Sequence, residues 1–113
     1  MEITHQDIGD GVTLVSLQGR LDSTSSDMVK IFLQRLLAGG HSKLAVDLQH
    51  VPFIDSAGLV ALVSGLRIAK ENNSRLVLCA AQPQAQLVFR LTMLDRVISV
   101  HPTATEAKQS LAG

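Results

Sequence analysis

The stretch Val51-Pro52-Phe53-Ile54-Asp55-Ser56-Ala57-Gly58 connects a predicted strand to a predicted helix, and the rest of the chain is arranged around that connection. Before it lies the apolar run Leu44–Leu48, which has the length of a strand. After it, aliphatic residues recur at the spacing of one helix face. This spacing predicts a helix over Ala57–Glu71 that buries Leu59, Leu62, Val63 and Leu66.

Ser56 lies where the loop becomes that helix. The first turn of a helix has unpaired amides and a partial positive charge, which together favour an anion such as phosphate. We therefore interpret Ser56 as a regulatory hydroxyl at a docking surface. The structural alternative is that Ser56 is only the helix N-cap, a position that favours serine. Asp55 is likewise either a turn residue or one that orients the serine and contacts a partner.

Composition narrows the class of protein. The 113 residues are enough for one domain with one core, which we assign to residues 1–113. Ten basic and ten acidic residues give zero formal net charge, which argues against a nucleic-acid binder. Zero net charge and a short exposed patch do not indicate a large self-complementary surface, so we expect a monomer in isolation.

Compartment and cofactor expectations follow from the same composition. The single Cys79 excludes an internal disulfide and suits a reducing compartment. No apolar run approaches the roughly 20 residues that span a bilayer, and Met1–Asp7 does not resemble a signal peptide. The four histidines lack metal-ligand spacing. We expect a cytoplasmic domain without membrane insertion, metal or cofactor.

The order of predicted elements indicates an α/β fold. Ile3–Ile8 and Val12–Gly19 flank a short glycine-containing turn and should form an antiparallel hairpin. Strands over Lys43–Leu48, Arg75–Ala80 and Val97–Val100 then alternate with helices. Alternation of this kind predicts a mixed, mostly parallel sheet with an N-terminal hairpin and about four helices.

The remaining helices have recognisable ends and apolar faces. Thr24 with Asp27 is close to a capping box for the first helix, and Thr103 with Glu106 is one for the last. Pro83 begins the third helix. We expect the following side chains of these helices to be buried, with Cys79, Met28 and Met93 as further core residues: Val29, Phe32, Leu33, Leu36, Leu87, Val88, Leu91, Ala107 and Leu111.

Several segments together resemble the STAS domain family, whose best-known members are bacterial anti-sigma factor antagonists. The matching segments are Leu17–Asp22, Val46–Leu48 and Val51–Leu59, with weaker support from Leu91–Val97 and Thr103–Ala107. They occur in the family's order along nearly the whole chain. The Asp-Ser-x-Gly piece is strong evidence because it follows an Asp-containing strand and precedes an aliphatic helix.

The resemblance implies a partner switch without catalysis. In such antagonists the unmodified protein binds an anti-sigma factor that is also a serine kinase of GHKL type. The kinase phosphorylates the serine after the Asp, here Ser56, the antagonist is released, and a PP2C-type phosphatase resets it. The resemblance places the partner-binding surface at Asp22, Ser23, Thr24, Asp55, Ala57, Gly58, Val60 and Ser64.

Two departures from the family pattern fall on this surface. Many members have Ser or Thr where this chain has Ala57, so Ser56 is the motif's only hydroxyl. Many also have Gly where this chain has Val60, and a bulkier residue there would change which partner fits. Burial of Val60 and exposure at an interface remain equal alternatives, and Asp22 is either a cap or part of the docking rim.

The enzyme alternatives lack their motifs. A serine hydrolase needs Gly two residues before the nucleophile, where this chain has Ile54. A phosphoaspartate receiver domain needs an acidic cluster after its first strand, where this chain has Gly9-Asp10-Gly11. No glycine-rich phosphate loop with lysine is present, although nucleotide binding without catalysis stays open. The principal alternative keeps the fold: a regulatory or structural STAS subunit of a membrane transport complex or a stress-signalling scaffold.

Overall fold

The computed structural model describes residues 1–112, which form a five-stranded sheet in the order β1-β2-β3-β4-β5. β1 and β2 pair antiparallel, with Ile3 opposite Leu17, and every later pair is parallel. This confirms the predicted hairpin and mixed sheet. The strands are β1 (Glu2–Asp7), β2 (Thr13–Gln18), β3 (Lys43–His50), β4 (Arg75–Cys79) and β5 (Val100–His101).

The hairpin turn depends on backbone conformations that favour glycine. Gly9, Asp10 and Gly11 all have positive φ, at 96°, 58° and 74°. The Val12 amide donates to the Gly9 carbonyl at 3.0 Å, and the Ile8 amide donates to the Val12 carbonyl at 3.0 Å. A side chain at either glycine would strain the turn that sets the register of β1 on β2.

Helices cover both faces of the sheet. One apolar cluster joins the strands to α1, α2 and α3, and a second joins the opposite face to α4 through Ala107 and Leu111. Because both faces are covered, Leu44–Leu48 are all buried, as predicted for a central strand. The helices are α1 (Ser26–Ala38), α2 (Ser56–Glu71), α3 (Pro83–Leu91) and α4 (Ala104–Ala112).

The buried stripe of α2 differs from the predicted one. Val63 is 43% exposed and Leu59 is half-buried, whereas small residues face inward together with Leu62 and Leu66. A Cβ added at Gly65 would lie 2.7 Å from the Leu33 Cδ1 atom, so α1 packs directly over this position. The large aliphatic residues therefore mark only one edge of the stripe, which is formed by Gly58, Ala61, Leu62, Gly65, Leu66 and Ala69.

The predicted fifth strand is present, but its predicted bounds, Val97–Val100, are wrong: β5 is Val100–His101, and a turn occupies Val97 and Ile98. Leu94–Arg96 form a 3-10 turn, the Ile98 amide donates to the Leu94 carbonyl at 3.0 Å, and Val97 is 59% exposed. The predicted burial of Met93 is also wrong, since its φ of 59° turns the chain at the surface. Met28, which is 50% exposed, is not a core residue either.

The predicted buried face of α3 is also wrong. Ala85 and Phe89 face the core, whereas Leu87 and Leu91 are exposed and Val88 is half-buried. In a nine-residue helix, few residues define the face, and three aliphatic side chains were too few to define it. The core residues predicted in α4 are confirmed, and so is its cap: the Glu106 amide donates to Thr103 Oγ1 at 3.1 Å.

α1 begins at Ser26 without the predicted Thr24 cap. The N-cap residue, Ser25, makes no side-chain cap hydrogen bond, and the Thr24 hydroxyl donates to the Asp22 carboxylate at 2.6 Å. The predicted core residues Val29, Leu33 and Leu36 are buried, and Phe32 is partly buried. The polar run before α1 thus forms a structured loop whose carboxylate attracts the threonine.

Candidate docking site around Ser56

Asp55, not Ser56, caps α2. The Asp55 backbone is extended, at φ −112° and ψ −169°, and its carboxylate accepts a hydrogen bond from the Gly58 amide at 3.0 Å. The structural alternative for Ser56 is therefore wrong, because the cap is supplied by the preceding residue. Ser56 is the first residue of the helix and is exposed to solvent.

The amides at the start of α2 are only partly satisfied. Asp55 accounts for two of them, accepting from Gly58 through its side chain and from Leu59 through its carbonyl at 3.0 Å. In residues 1–112, no hydrogen bond is made by the amides of Ser56 and Ala57. Two free N–H groups beside an exposed hydroxyl give this point a local positive potential.

Gly58 brings the start of α2 against the loop that follows β2. A Cβ at this position would overlap the Leu21 carbonyl oxygen and lie 2.9 Å from Leu21 Cγ. The Leu21 amide donates to the Phe53 carbonyl at 2.9 Å, and the Asp55 amide donates to the Leu21 carbonyl at 3.3 Å. These bonds bring the β2–α1 loop and the Ser56 segment to one edge of the sheet. Gly58 is buried in this contact, so it positions the edge and does not itself reach a partner.

The β2–α1 loop presents an ordered carboxylate at that edge. The Asp22 Oδ1 atom accepts from the Thr24 hydroxyl at 2.6 Å and from the Thr24 amide at 2.9 Å, and the Arg20 Nε atom lies 3.5 Å from Oδ2. The Thr24 hydroxyl and amide, followed by Arg20, hold the pKa of the Asp22 carboxyl below its usual range. The buried Ser25 hydroxyl fixes the loop by donating to the Arg20 carbonyl at 2.8 Å. The loop is thus ordered with a fixed negative charge.

Most of the predicted site residues meet at this edge. Ser23 and Thr24 are exposed beside Asp22, and Ser56 is exposed with Ala57 half-buried next to it. Val60, one turn further along α2, is 57% exposed, which rules out its burial. Ser64, two turns along, is half-buried and lies furthest from the loop. We call the exposed part of this edge the docking face, and define it as Asp22, Ser23, Thr24, Asp55, Ser56, Ala57 and Val60.

The chain is similar to proteins of one known family. The family model described as the STAS domain matches residues 5–107. The chain belongs to the STAS domain family. This STAS domain is 26% identical over 112 residues to the Bordetella bronchiseptica protein BtrV, a candidate anti-sigma factor antagonist, covering 99% of this chain and 93% of BtrV.

Solved structures show how widely the fold of this STAS domain is shared. An anti-sigma factor antagonist from Mycobacterium paratuberculosis matches with a TM-score of 0.88 at 24% identity, covering 99% of this chain and 94% of the other. A sulfate transporter family protein from Wolinella succinogenes matches with a TM-score of 0.81 at 16% identity, covering 94% of this chain and 88% of the other. These likenesses establish the mixed α/β fold and do not distinguish a signalling role from a transport-linked one.

Two supports of the docking face in this STAS domain were not identified from the sequence. Gln84 of α3 binds the backbone of Ile54 on both sides: its Oε1 accepts from the Ile54 amide and its Nε2 donates to the Ile54 carbonyl, each at 2.9 Å. The Arg20 guanidinium lies 4.1 Å from the centre of the Phe53 ring. Neither side chain belongs to a pattern, because each contact joins segments about 30 residues apart. Only the resemblance, which included Arg20, carried any signal.

The chemistry available at the site is limited. In the part of the chain that the structure describes, no group of three His, Cys, Asp or Glu side chains could hold a metal ion. Burial, and secondarily the charge of Asp47, raises the pKa of the Cys79 thiol to about 12, so this thiol is a core group. No helix within residues 1–112 is long and apolar enough to cross a membrane. The docking face offers three exposed hydroxyl residues, two carboxylates and two apolar side chains, namely Ser23, Thr24, Ser56, Asp22, Asp55, Ala57 and Val60.

Proposed function

We propose that this STAS domain, as one unit over residues 1–113, is a cytoplasmic partner-switching regulator controlled by phosphorylation of Ser56. Unmodified, it binds an anti-sigma factor that is also a serine kinase of GHKL type; phosphorylated, it releases that partner. A PP2C-type phosphatase removes the phosphate. The observation that carries the proposal is the exposed Ser56 hydroxyl, which is freed from capping by Asp55.

The folded domain would tolerate a phosphate at Ser56. The group carries about 1.5 to 2 negative charges at neutral pH. It would lie beside the unpaired amides of Ser56 and Ala57 and at the positive end of α2. Because the segment is held by Gln84 and by the Leu21 backbone, its shape does not depend on the hydroxyl. We therefore expect phosphorylation to leave the backbone unchanged.

The same phosphate would oppose binding at a closed interface. A partner covering the docking face would have to desolvate the phosphate beside Asp55, with Asp22 as a further negative charge on the same edge. Val60 supplies an apolar contact one turn away that a partner would bury. A loss of about 3 kcal/mol at this interface weakens binding roughly a hundredfold. The switch would act by blocking contact.

The decisive experiment is phosphorylation followed by a binding measurement. The domain is incubated with a candidate GHKL-type kinase and ATP, and modified residues are mapped by mass spectrometry. Ser56→Ala should abolish modification while retaining binding. Ser42→Ala, at an exposed serine before the start of β3 and outside the docking face, should leave modification unchanged. Calorimetry should show weaker kinase binding for Ser56→Asp and for the phosphorylated protein. Wild-type affinity in both forms would refute the proposal.

A transport-linked role is the second candidate, and the fold match to the sulfate transporter family protein keeps it open. It predicts that the domain binds a membrane transport complex irrespective of Ser56. Genes beside that of this protein distinguish the two: a GHKL-type kinase or PP2C-type phosphatase supports the switch, and a transporter operon supports the subunit. Capture of a transporter equally well by wild type and by Ser56→Asp would favour the second role.

A further inference from the structure

A cavity of about 470 Å³ lies between α3, the 3-10 turn and β5, and none of the docking-face residues lines it. Its volume falls within the range of small-molecule sites in proteins. It lies at the carboxyl ends of β4 and β5, the edge at which open α/β sheets bind ligands. Its apolar lining is formed by Phe89, which is fully buried, together with Ala81, Val100 and Pro102.

Two opposite charges on the cavity wall are not paired with each other. Arg90 of α3 and Asp95 of the 3-10 turn both line the cavity, and both are exposed. Within residues 1–112 neither belongs to an ion pair; the ion pairs are Arg20–Asp22, Arg67–Glu71 and Lys108–Asp10. A wall with one cation and one anion favours a ligand that carries both charges at separate atoms. A phosphate or dicarboxylate would be repelled by Asp95.

The cavity is also lined by a histidine that has one unsatisfied ring nitrogen. His101 lines the cavity, and its Nε2 atom is closed off from solvent without a hydrogen-bond partner in the described chain. Buried polar atoms are rarely left unpaired, because each one costs free energy relative to water. A ligand that offers a donor or acceptor as the ring turns toward the cavity would remove this cost. In this structure the Nε2 atom is closed off, so it reaches the cavity only after the ring turns.

We propose that this cavity binds a small zwitterion with an apolar body, namely an apolar α-amino acid. Its carboxylate pairs with Arg90, its ammonium group pairs with Asp95, and its side chain packs on Phe89 and Val100. Each of these contacts is a charge-assisted or apolar contact of ordinary strength. The site is distinct from Ser56, so it stands or falls independently of the partner switch.

The test is an NMR titration of the ¹⁵N-labelled domain with L-phenylalanine and L-leucine. We expect saturable shifts at the amides of Phe89, Val100 and His101. Phenethylamine, which lacks the carboxylate, and 3-phenylpropionate, which lacks the ammonium group, should each bind about tenfold more weakly than L-phenylalanine. No saturation by either amino acid at millimolar concentration, or equal binding of the analogues, would overturn the proposal. Stronger shifts with inorganic phosphate would do the same.

Variants of Arg90 and Asp95 test separately which charged group of the amino acid each side chain binds. Arg90→Gln should weaken the binding of both L-phenylalanine and 3-phenylpropionate about tenfold. Asp95→Asn should weaken the binding of L-phenylalanine and leave that of 3-phenylpropionate unchanged. Arg67→Gln, at an exposed arginine outside the cavity, is the matched control and should change neither. All three side chains are exposed, so thermal melting should confirm an intact fold. Equal effects of all three variants would refute the assignment.

Discussion

Replacement of Gly58 by Ala tests the close approach that forms the docking face. The added methyl group would overlap the Leu21 carbonyl oxygen and lie 3.0 Å from the Leu21 carbonyl carbon, so backbone must move. Alanine is favoured over glycine in helices by up to about 1 kcal/mol. Overpacking against a rigid neighbour typically costs 1–3 kcal/mol, and more where backbone is involved. We expect a net loss of about 2 kcal/mol.

Urea unfolding measures this loss directly. With a slope of about 1.5 kcal/mol/M, typical of a small domain, the midpoint should fall by about 1 M. Gly65→Ala is the matched control, because the methyl group there meets the end of the flexible Leu33 side chain, at 2.7 Å. Both variants gain similar helix propensity, so the difference between them reports the backbone overlap. A Gly58→Ala midpoint equal to that of wild type would show that the loop is not held against α2.

Three further predictions concern the core and the loop support. Leu62→Ala, at a fully buried site, should cost roughly 2–5 kcal/mol in urea unfolding, whereas Val63→Ala at the exposed neighbour should cost less than about 0.5 kcal/mol. Burial raises the pKa of the Cys79 thiol to about 12, so iodoacetamide should label this thiol only when urea unfolds the domain. In the unfolded chain the thiol ionises above about pH 8.5, so the free energy of unfolding, measured in urea, should decline above that pH. Gln84→Ala should speed hydrogen exchange of the Ile54 amide, measured by NMR. Exchange at the wild-type rate would contradict the Gln84 clamp, by which we mean the two hydrogen bonds from the Gln84 side chain to the Ile54 backbone.

Apolar periodicity and turn residues were sufficient to predict the sheet and its helices. The hairpin followed from Gly9-Asp10-Gly11, and the central strand followed from the continuous apolar run at Leu44–Leu48. The boundary at Val97–Val100 failed because a 3-10 turn and a short strand have similar composition. The predicted buried face of α2 was wrong at Val63. Small residues allow the closest packing of this helix, and the periodicity of large apolar side chains does not reveal them.

The sequence was sufficient to locate the candidate site, but it did not predict the contacts that hold the site together. Asp55 and Ser56 both suit a helix N-cap, and only backbone geometry assigns the cap to Asp55. The docking face also depends on Gln84 and on the Leu21 backbone, which are distant in sequence and carry no local pattern. A single chain therefore predicts which residues carry the chemistry, and it does not predict which residues hold them in place.

The Gln84 clamp has a consequence for how the loop responds to its surroundings. Its two hydrogen bonds join a neutral amide to main-chain atoms of Ile54. Such bonds do not titrate between pH 5 and 8 and are little affected by ionic strength, unlike contacts between exposed charges. Salt and pH should therefore alter how strongly the loop attracts charged molecules while leaving its outline constant. Since the clamp holds only backbone atoms, side chains on the loop can be exchanged by mutation without releasing the anchor.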